Sequence, residues 1–212
     1  ISTIDEFDAQ GYEKLGIGVE IQDFTEPNLS AEDIQDLVHR YKALFNAYHQ
    51  VKALHGPFLD LKPSSPDPLI RAISQDRYRK VLEIATELDM DYVIFHSQIN
   101  PQLNEPYLSQ LNNQQSRAAW LEILGQASAF QGTIVLENVF ESTPEMLKDL
   151  IETIDLPNVK INLDVGHSKL GTDSLEAWIC AFKDHIAYIH LHSNNGIYDQ
   201  HLKPSADEVV ML

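Results

Sequence analysis

The fold is decided by residues 159–171, which carry the sequence V-K-I-N-L-D-V-G-H-S-K-L-G. The first part of this stretch is mostly apolar and ends at Asp164, and His167 follows three positions later. An apolar run that contains β-branched residues and ends in a turn is typical of a buried strand. The sequence therefore predicts that Asp164 and His167, both of metal-ligand type, lie where a strand opens into its loop.

The same arrangement, an apolar run that ends in a carboxylate or an imidazole, recurs along the chain. Its members are Glu20, His55, His96, Glu137, Asp164 and His190. From His55 onward the successive gaps are 41, 41, 27 and 26 residues, each long enough for one crossover helix between parallel strands. Strands that all end in polar residues predict an α/β fold, the (β/α)8 TIM barrel, whose chemistry lies at the carboxyl ends of the strands.

Seven strands can be counted, at residues 1–4, 17–21, 51–54, 92–95, 133–136, 186–191 and in the opening stretch. The eighth strand of a closed barrel is not found, so we expect that the natural chain continues beyond Leu212 or that the sequence represents it incompletely. Helices are predicted to begin at a capping box of Ser30 with Asp33 and at Asp67-Pro68, the latter with a break near Ser74. Residues 100–115, rich in Asn and Gln, are predicted to form a polar loop that walls the pocket.

Composition sets further bounds. The chain has 212 residues, of which 43% are hydrophobic, enough for one core and a single domain at residues 1–212 with an incomplete C-terminal end. No apolar run approaches the length of a membrane span. Cys180 is the only cysteine, which predicts a reducing compartment, the cytoplasm, and a small buried side chain within a helix. A net charge of −17 argues against nucleic acid as a partner, although a local basic cleft is not excluded.

Taken singly, each candidate ligand is more often part of a hydrogen-bonded structure than of a metal site. Burying so many ionisable groups together is costly unless they pair or bind metal. Glu137 and Asp164 can bridge ions, and neutral histidines complete the nitrogen and oxygen shells of zinc or manganese. Asp199 and His201, two residues apart in a turn-rich segment, are predicted to close another site opposite His167.

The sequence resembles the xylose isomerase-like TIM-barrel superfamily, which includes endonuclease IV and many sugar isomerases and epimerases. The resemblance covers essentially the whole chain, and its most specific motifs are H-G-P-F-L-D-L-K-P-S-S-P-D-P at 55–68, L-E-N at 136–138, L-D-V-G-H at 163–167 and H-L-H-S-N-N-G-I-Y-D-Q-H at 190–201. For the isomerase branch it implies one metal ion held by Glu137, Asp164 and His190. The fourth ligand of that branch, a glutamate on strand eight, has no counterpart in this sequence.

For the endonuclease branch the resemblance implies three zinc ions. The first would be held by His55, His96 and Glu137, the second by Glu137, Asp164 and His190 with the missing glutamate, and the third by His167, Asp199 and His201. The chain departs from the endonuclease pattern where Val139-Phe140-Glu141 replaces a Thr-Ala-Gly turn. It departs from the epimerase pattern because no arginine follows His190.

Three hypotheses follow. The first is a metal-dependent isomerase or epimerase of a small sugar, polyol or sugar phosphate, with Glu137, Asp164 and His190 as catalytic residues. Further side chains are expected on the substrate side, namely Glu20, Asn138 and His192. The alternatives are a zinc phosphodiesterase like endonuclease IV and a barrel that binds metal without catalysis. The expected cofactor is one to three divalent ions, zinc first and manganese or magnesium as alternatives, while the substrate and the oligomeric state are left open.

Overall fold

The computed structural model describes residues 1–211. Six strands lie in one parallel sheet in chain order. They are β1 Val19–Ile21, β2 Lys52–His55, β3 Tyr92–His96, β4 Thr133–Glu137, β5 Val159–Asp164 and β6 Ile186–His190. Parallel strands alternating with helices are the order of a TIM barrel, here with fewer than eight strands among the described residues. The predicted α/β class is confirmed.

Eight α-helices lie before, between and after the strands in residues 1–211. They are α1 Ala9–Leu15, α2 Ala31–Phe45, α3 Pro68–Glu87, α4 Pro106–Gln126, α5 Pro144–Ile154, α6 Val165–Ser168, α7 Leu175–Phe182 and α8 Ala206–Met211. Within the part of the chain that is described, none of them is long and apolar enough to cross a membrane.

The chain divides into two compact units. The first comprises Ile1–Phe95 with Ala119–Ile134, and the second comprises His96–Ala118 with the chain from Val135 onward. The family motifs L-E-N, L-D-V-G-H and the histidine-rich segment all belong to the second unit. The expectation of a single domain at residues 1–212 stays a prediction.

The first unit is built on helices that begin where the sequence predicts. Ser30 caps α2 in a complete capping box with Asp33, and Asp67 accepts from the amides of Leu69 and Ile70 at the start of α3. The predicted break near Ser74 is wrong, because α3 is continuous from Pro68 to Glu87. The Ser74 hydroxyl donates to the Ile70 carbonyl one turn earlier, which leaves the helix intact.

The second unit holds the strand ends that carry the candidate ligands. Strand β6 runs parallel to β5, and a register shift next to Asn162 brings Asp164 opposite His190. Helix α7 covers this part of the sheet and buries Trp178 and Phe182. Cys180, between them in sequence, points away from that face and is exposed, so its predicted burial is wrong.

Two other segments differ from the sequence-based expectation. Residues 1–4 do not form a strand, because the chain enters a 3-10 turn at Ile4–Glu6. The amides of Ser2 and Ile4 are taken by the carboxylates of Glu6 and Asp23, at 2.8 and 3.1 Å, and are not available to a sheet. These bonds to side-chain carboxylates outweigh the apolar character of the segment.

The predicted polar loop at residues 100–115 is wrong over most of its length. Helix α4 begins at Pro106 and continues to Gln126. The carboxylate of Glu105 accepts from the amide of Leu108 at 3.1 Å and so caps the start of the helix. The Asn- and Gln-rich composition gave no indication of this start. Asn and Gln lower helix stability only slightly, so the apolar residues further along α4 determine the structure.

Candidate metal centre

Three side chains converge at the carboxyl ends of β4, β5 and β6. Glu137 and Asp164 are almost fully buried, and His190 lies beside both of them. The His190 Nδ1 atom is 3.0 Å from Glu137 Oε2 and 3.6 Å from Asp164 Oδ2. One potential ligand atom from each residue lies within 4.8 Å of the others. We call these three residues the central site.

Neighbouring amides hold the two carboxylate-bearing strands in place. Asn162 Nδ2 donates to Glu137 Oε2 at 3.0 Å from inside β5. The Asn138 amide donates to the backbone carbonyl of Asp164 and accepts from its backbone amide, both at 2.9 Å. Both functional groups of the Asn138 side chain therefore serve the backbone of β5. A contact between Asn138 and substrate stays a prediction.

The charges in the central site favour a bound cation. Burial alone raises the pKa of Asp164, but hydrogen bonds from His190 and His192 outweigh burial and hold that pKa below its usual range. Burial alone lowers the pKa of His167, but a hydrogen bond to Glu137 and the charges of the nearby carboxylates raise it to about 9. A buried carboxylate that retains its charge, next to imidazoles that can donate to it, suits a bound metal ion.

A second group of potential ligands lies in the same unit. It contains His167, His192, Asp199 and His201, whose ligand atoms lie within 4.8 Å of one another. Asp199 is shared, because its Oδ2 atom is 3.3 Å from His167 Nε2 and 2.8 Å from His201 Nε2. The rings of His192 and His201 are stacked, with centroids 4.0 Å apart. We call these four residues the peripheral cluster.

His167 is oriented by the turn that follows β5. Asp164 caps the short helix α6 and its Oδ1 accepts from the His167 amide at 2.7 Å. The imidazole Nδ1 lies 2.9 Å from the Asn138 carbonyl, which can only accept, so Nδ1 carries the proton of that bond. His167 Nε2 then faces Asp199. The D-V-G-H motif thus contributes Asp164 to the central site and His167 to the peripheral cluster.

The remaining predicted ligands lie at the expected strand ends. His96 ends β3, and its Nε2 atom is 3.9 Å from Glu137 Oε1. His55 ends β2 in the first unit, where it is buried and its Nδ1 lies 2.9 Å from the Gly56 carbonyl. Glu20 lies within β1 of that same unit. The metal-binding roles of His55 and His96 and the substrate contact of Glu20 stay predictions.

Sequence reasoning missed Asn162 and Glu141. Asn162 was visible only as a polar residue inside an otherwise apolar strand. Glu141 is a buried carboxylate in the loop after β4, and its Oε2 accepts from the amides of Val139 and Phe140 at 2.7 and 3.0 Å. The hydroxyl of Ser97 donates to its other oxygen. Glu141 stands where the chain departs from the endonuclease pattern, and that departure is the signal that could have identified it.

The chain is similar to known proteins over most of its length. The family described as "Xylose isomerase-like TIM barrel" matches residues 5–210. An uncharacterized protein of Methanocaldococcus jannaschii is 32% identical over 185 residues, which is 82% of this chain and 61% of that protein. A second uncharacterized protein of the same organism is 33% identical over 75% of this chain and 62% of its own length. The chain therefore spans about three fifths of the length of these curated relatives.

Solved structures with the same fold include a "D-tagatose 3-epimerase-like protein". It is 28% identical, with a TM-score of 0.72 over 90% of this chain and 75% of that chain. A Thermus thermophilus protein whose crystals were soaked with ZnCl2 is 23% identical, with a TM-score of 0.71 over 91% of this chain and 75% of that chain. Other similar structures are sugar epimerases, and their identities below 25% show the fold alone.

Proposed function

The chain belongs to the xylose isomerase-like TIM-barrel family, and from this premise we propose that it is a divalent-metal-dependent isomerase or epimerase. Its proposed substrate is a small sugar, polyol or sugar phosphate. The observation that carries the proposal is the convergence of Glu137, Asp164 and His190 at three adjacent strand ends. The similarity to a protein described as D-tagatose 3-epimerase-like supports the same reaction class.

The donor set of the central site fits a divalent ion. Two carboxylates and one imidazole are ligands that zinc, manganese and magnesium sites use, and we propose zinc first. Glu137, Asp164 and His190 would hold the ion, and a bound ion supplies polarisation of the carbonyl and hydroxyl oxygens of the substrate. We propose the cytoplasm as the compartment, because the single cysteine requires no oxidising environment.

Glu137 is the residue to which we assign proton transfer. Asn162 Nδ2 donates to Glu137 Oε2 at 3.0 Å, which holds that carboxylate oxygen in place. A carboxylate fixed in this way can take the proton on the carbon beside a substrate carbonyl. Returning the proton to the opposite face needs a second group, and the family resemblance implies a glutamate on an eighth strand for this role.

Proton exchange with solvent tests the proposal directly. The chain is incubated in D2O with zinc, manganese or magnesium and a panel of ketoses, free and phosphorylated, and deuterium uptake beside the carbonyl is followed by NMR. We expect uptake with at least one sugar and a loss of about 10²–10⁴-fold in Glu137→Gln, the usual contribution of a general base. Glu122→Gln, an exposed glutamate on α4, is the matched control and should exchange at the unchanged rate.

A phosphodiesterase like endonuclease IV is the second candidate function. The peripheral cluster favours it, because His167, Asp199 and His201 match the residues that hold a third zinc in that branch. The net charge of −17 opposes it, since binding to phosphate chains is largely electrostatic. Cleavage of abasic-site DNA without deuterium uptake into any sugar would favour this candidate. Metal binding without turnover of either substrate class would favour a non-catalytic barrel.

A further inference from the structure

We propose that His192 is a ligand in the peripheral cluster, which makes it a zinc site closed by four side chains. The family resemblance implies only His167, Asp199 and His201 at this position and gives His192 no metal-binding role. Four protein ligands fill a tetrahedral shell and leave no position open for a substrate or a reactive water. The ion would then fasten the segment at residues 193–202 to the strand ends. This inference does not depend on the reaction proposed for the central site.

The hydrogen bonding of His192 is that of a metal ligand. Its Nε2 atom lies 3.0 Å from Asp164 Oδ2, and the ionised carboxylate can only accept, so Nε2 carries the proton. Its Nδ1 atom is buried without a hydrogen-bond partner and lies 3.5 Å from Asp199 Oδ1. Metal-binding histidines characteristically donate their second ring N–H to a carboxylate or carbonyl. The lone pair of Nδ1 is therefore available on the side where the cluster lies.

Gly166 shows that the backbone leaves room for this imidazole. A Cβ atom built on Gly166 would lie 2.0 Å from His192 Cε1 and 2.3 Å from His192 Nδ1. No side chain can be accommodated at that distance unless the ring moves. The glycine of the D-V-G-H motif therefore lets α6 pass directly against the His192 ring. The same motif supplies His167, so one turn positions two ligands of the cluster.

The other donors complete a compact set around Asp199. His167 Nδ1 donates to the Asn138 carbonyl, which leaves Nε2 directed at Asp199. His201 Nε2 is 2.8 Å from the same carboxylate oxygen. Three imidazoles and one carboxylate are all ligand types found around zinc. A cation at their centre would interact favourably with the carboxylate oxygen of Asp199 and with the imidazole nitrogens that face it.

The ion would add a second attachment to the loop at residues 193–202, whose two ends are already joined by backbone hydrogen bonds. Backbone bonds of 2.8 and 2.7 Å join Ser193 and Leu202 and close the segment. Between them, Ile197 and Tyr198 are exposed by 75% and 59%. Asp199 and His201 belong to this loop, whereas His167 lies in α6 and His192 follows β6 by two residues. A four-ligand site would therefore restrict the motion of the exposed part of the loop.

A crystal structure of the zinc-loaded chain with anomalous data at the zinc edge tests the inference. We expect a zinc peak with His192 Nδ1 at about 2.0–2.1 Å, alongside ligand atoms of the other three residues. A zinc ion held by the other three residues and water, with His192 Nδ1 outside bonding distance, would overturn the inference. So would a zinc-loaded crystal without zinc at the cluster. A zinc peak at the central site is counted separately, so the proposed function is judged independently.

A solution experiment uses His192→Asn with His39→Asn as the matched control, because His39 is exposed on α2. Loss of a residue that only supports a metal ligand weakens metal binding by about 10- to 100-fold, and loss of a direct ligand should cost more. We therefore expect the zinc affinity of one site, measured by competition with a chelator, to fall by more than about 100-fold in His192→Asn and to be unchanged in His39→Asn. Zinc should also slow chymotrypsin cleavage after Tyr198 in the wild type but not in His192→Asn. A smaller change in affinity, or equal protection in both proteins, contradicts ligation by His192.

Discussion

Asn162 lies inside the buried strand β5, where its side chain binds Glu137 and contributes nothing to apolar packing. The bond from Asn162 Nδ2 to Glu137 Oε2 measures 3.0 Å, and both residues are buried. Without this donor, a carboxylate with its charge in the interior can rotate or take up a proton. The orientation of the proposed ligand therefore depends on a residue that binds no metal itself.

We predict that Asn162→Ala weakens metal binding at the central site by about 10–100-fold, the usual effect of losing a partner of a metal ligand. Titration of the metal-free chain with manganese or zinc, followed by calorimetry, measures this change. Asn104→Ala, an exposed asparagine in the same unit, is the matched control. Equal affinities in Asn162→Ala and the wild type would mean that Glu137 needs no such support.

The candidate ligands could be predicted from sequence, whereas the residues that orient them could not. Glu137, Asp164 and His190 each end an apolar run, so periodicity alone places them at one edge of a parallel sheet. Asn162 and Gly166 matter because of neighbours 25 or 26 positions away in the chain. Their roles arise from strand register and from the close passage of α6 to His192, and neither is encoded locally.

At the scale of elements, the loop between β4 and α5 is organised by one buried carboxylate. Glu141 accepts from the amides of Val139 and Phe140 and from the hydroxyl of Ser97. Phe140 is left 74% exposed at the tip. Burial raises the pKa of Glu141 above its usual range, although these hydrogen bonds act in the opposite direction. The turn is therefore built around a group whose charged form is disfavoured.

We predict opposite effects for two substitutions of Glu141. Glu141→Ala removes the acceptor of two backbone amides and should lower the free energy of unfolding by about 1–3 kcal/mol. Glu141→Gln keeps an oxygen for both amides and can donate to Ser97. Because the folded pKa of Glu141 is raised, its contribution to stability falls as pH rises above the usual glutamate value. The free energy of unfolding of Glu141→Gln, measured with urea, should therefore rise relative to that of the wild type as pH increases.

Glu122→Gln provides the control for that series, because its side chain is exposed. Its free energy of unfolding should follow the wild type at every pH. A glutamine variant at position 141 that loses stability relative to the wild type at high pH would show that the charged form of Glu141 is the one that holds the loop.

Helix starts were predictable because their bonds are local. The Ser30–Asp33 capping box and the Asp67-Pro68 start involve residues within three positions of one another, so the sequence itself contains the interaction. Residues 1–4 have strand character, but side-chain carboxylates occupy the amides of Ser2 and Ile4. The start of helix α4 was not predicted because the first half of the helix is polar. That half is helical because Glu105 caps it and because it continues into a segment with apolar residues. In both cases a carboxylate bond outweighed composition.

At the scale of the whole molecule, the chain carries 32 acidic and 15 basic side chains. Such an excess of negative charge disfavours the compact state through self-repulsion. Glu137, Asp164 and Asp199 bring part of this charge together in the second unit, where histidines are the nearest partners. Divalent ions at these positions would neutralise part of this charge. Zinc should therefore stabilise the fold.

We predict that saturating zinc raises the unfolding temperature and that a chelator reverses the change. A ligand that binds only the folded state at a hundredfold excess over its Kd contributes about 2.7 kcal/mol. For a chain of about 200 residues this corresponds to roughly 5–10 °C. Differential scanning calorimetry with and without zinc measures the shift. Magnesium at equal concentration should give a smaller shift, because imidazole-rich sites bind zinc more strongly.

The pH dependence of that shift tests whether His167 binds the ion. In the metal-free chain the pKa of His167 is raised from 6.5 to about 9, so its contribution to stability is full below about pH 6.5 and is lost as pH rises to about 9. Zinc must displace this proton, so its apparent affinity should rise about tenfold per pH unit over the same range. The two melting curves should therefore separate as pH increases, and in His167→Asn the separation should grow less steeply. If the rise in unfolding temperature caused by zinc became smaller between about pH 6.5 and 9, the ion would not be bound by His167. A histidine ligand that must lose its proton makes zinc binding stronger, and this rise larger, as pH increases.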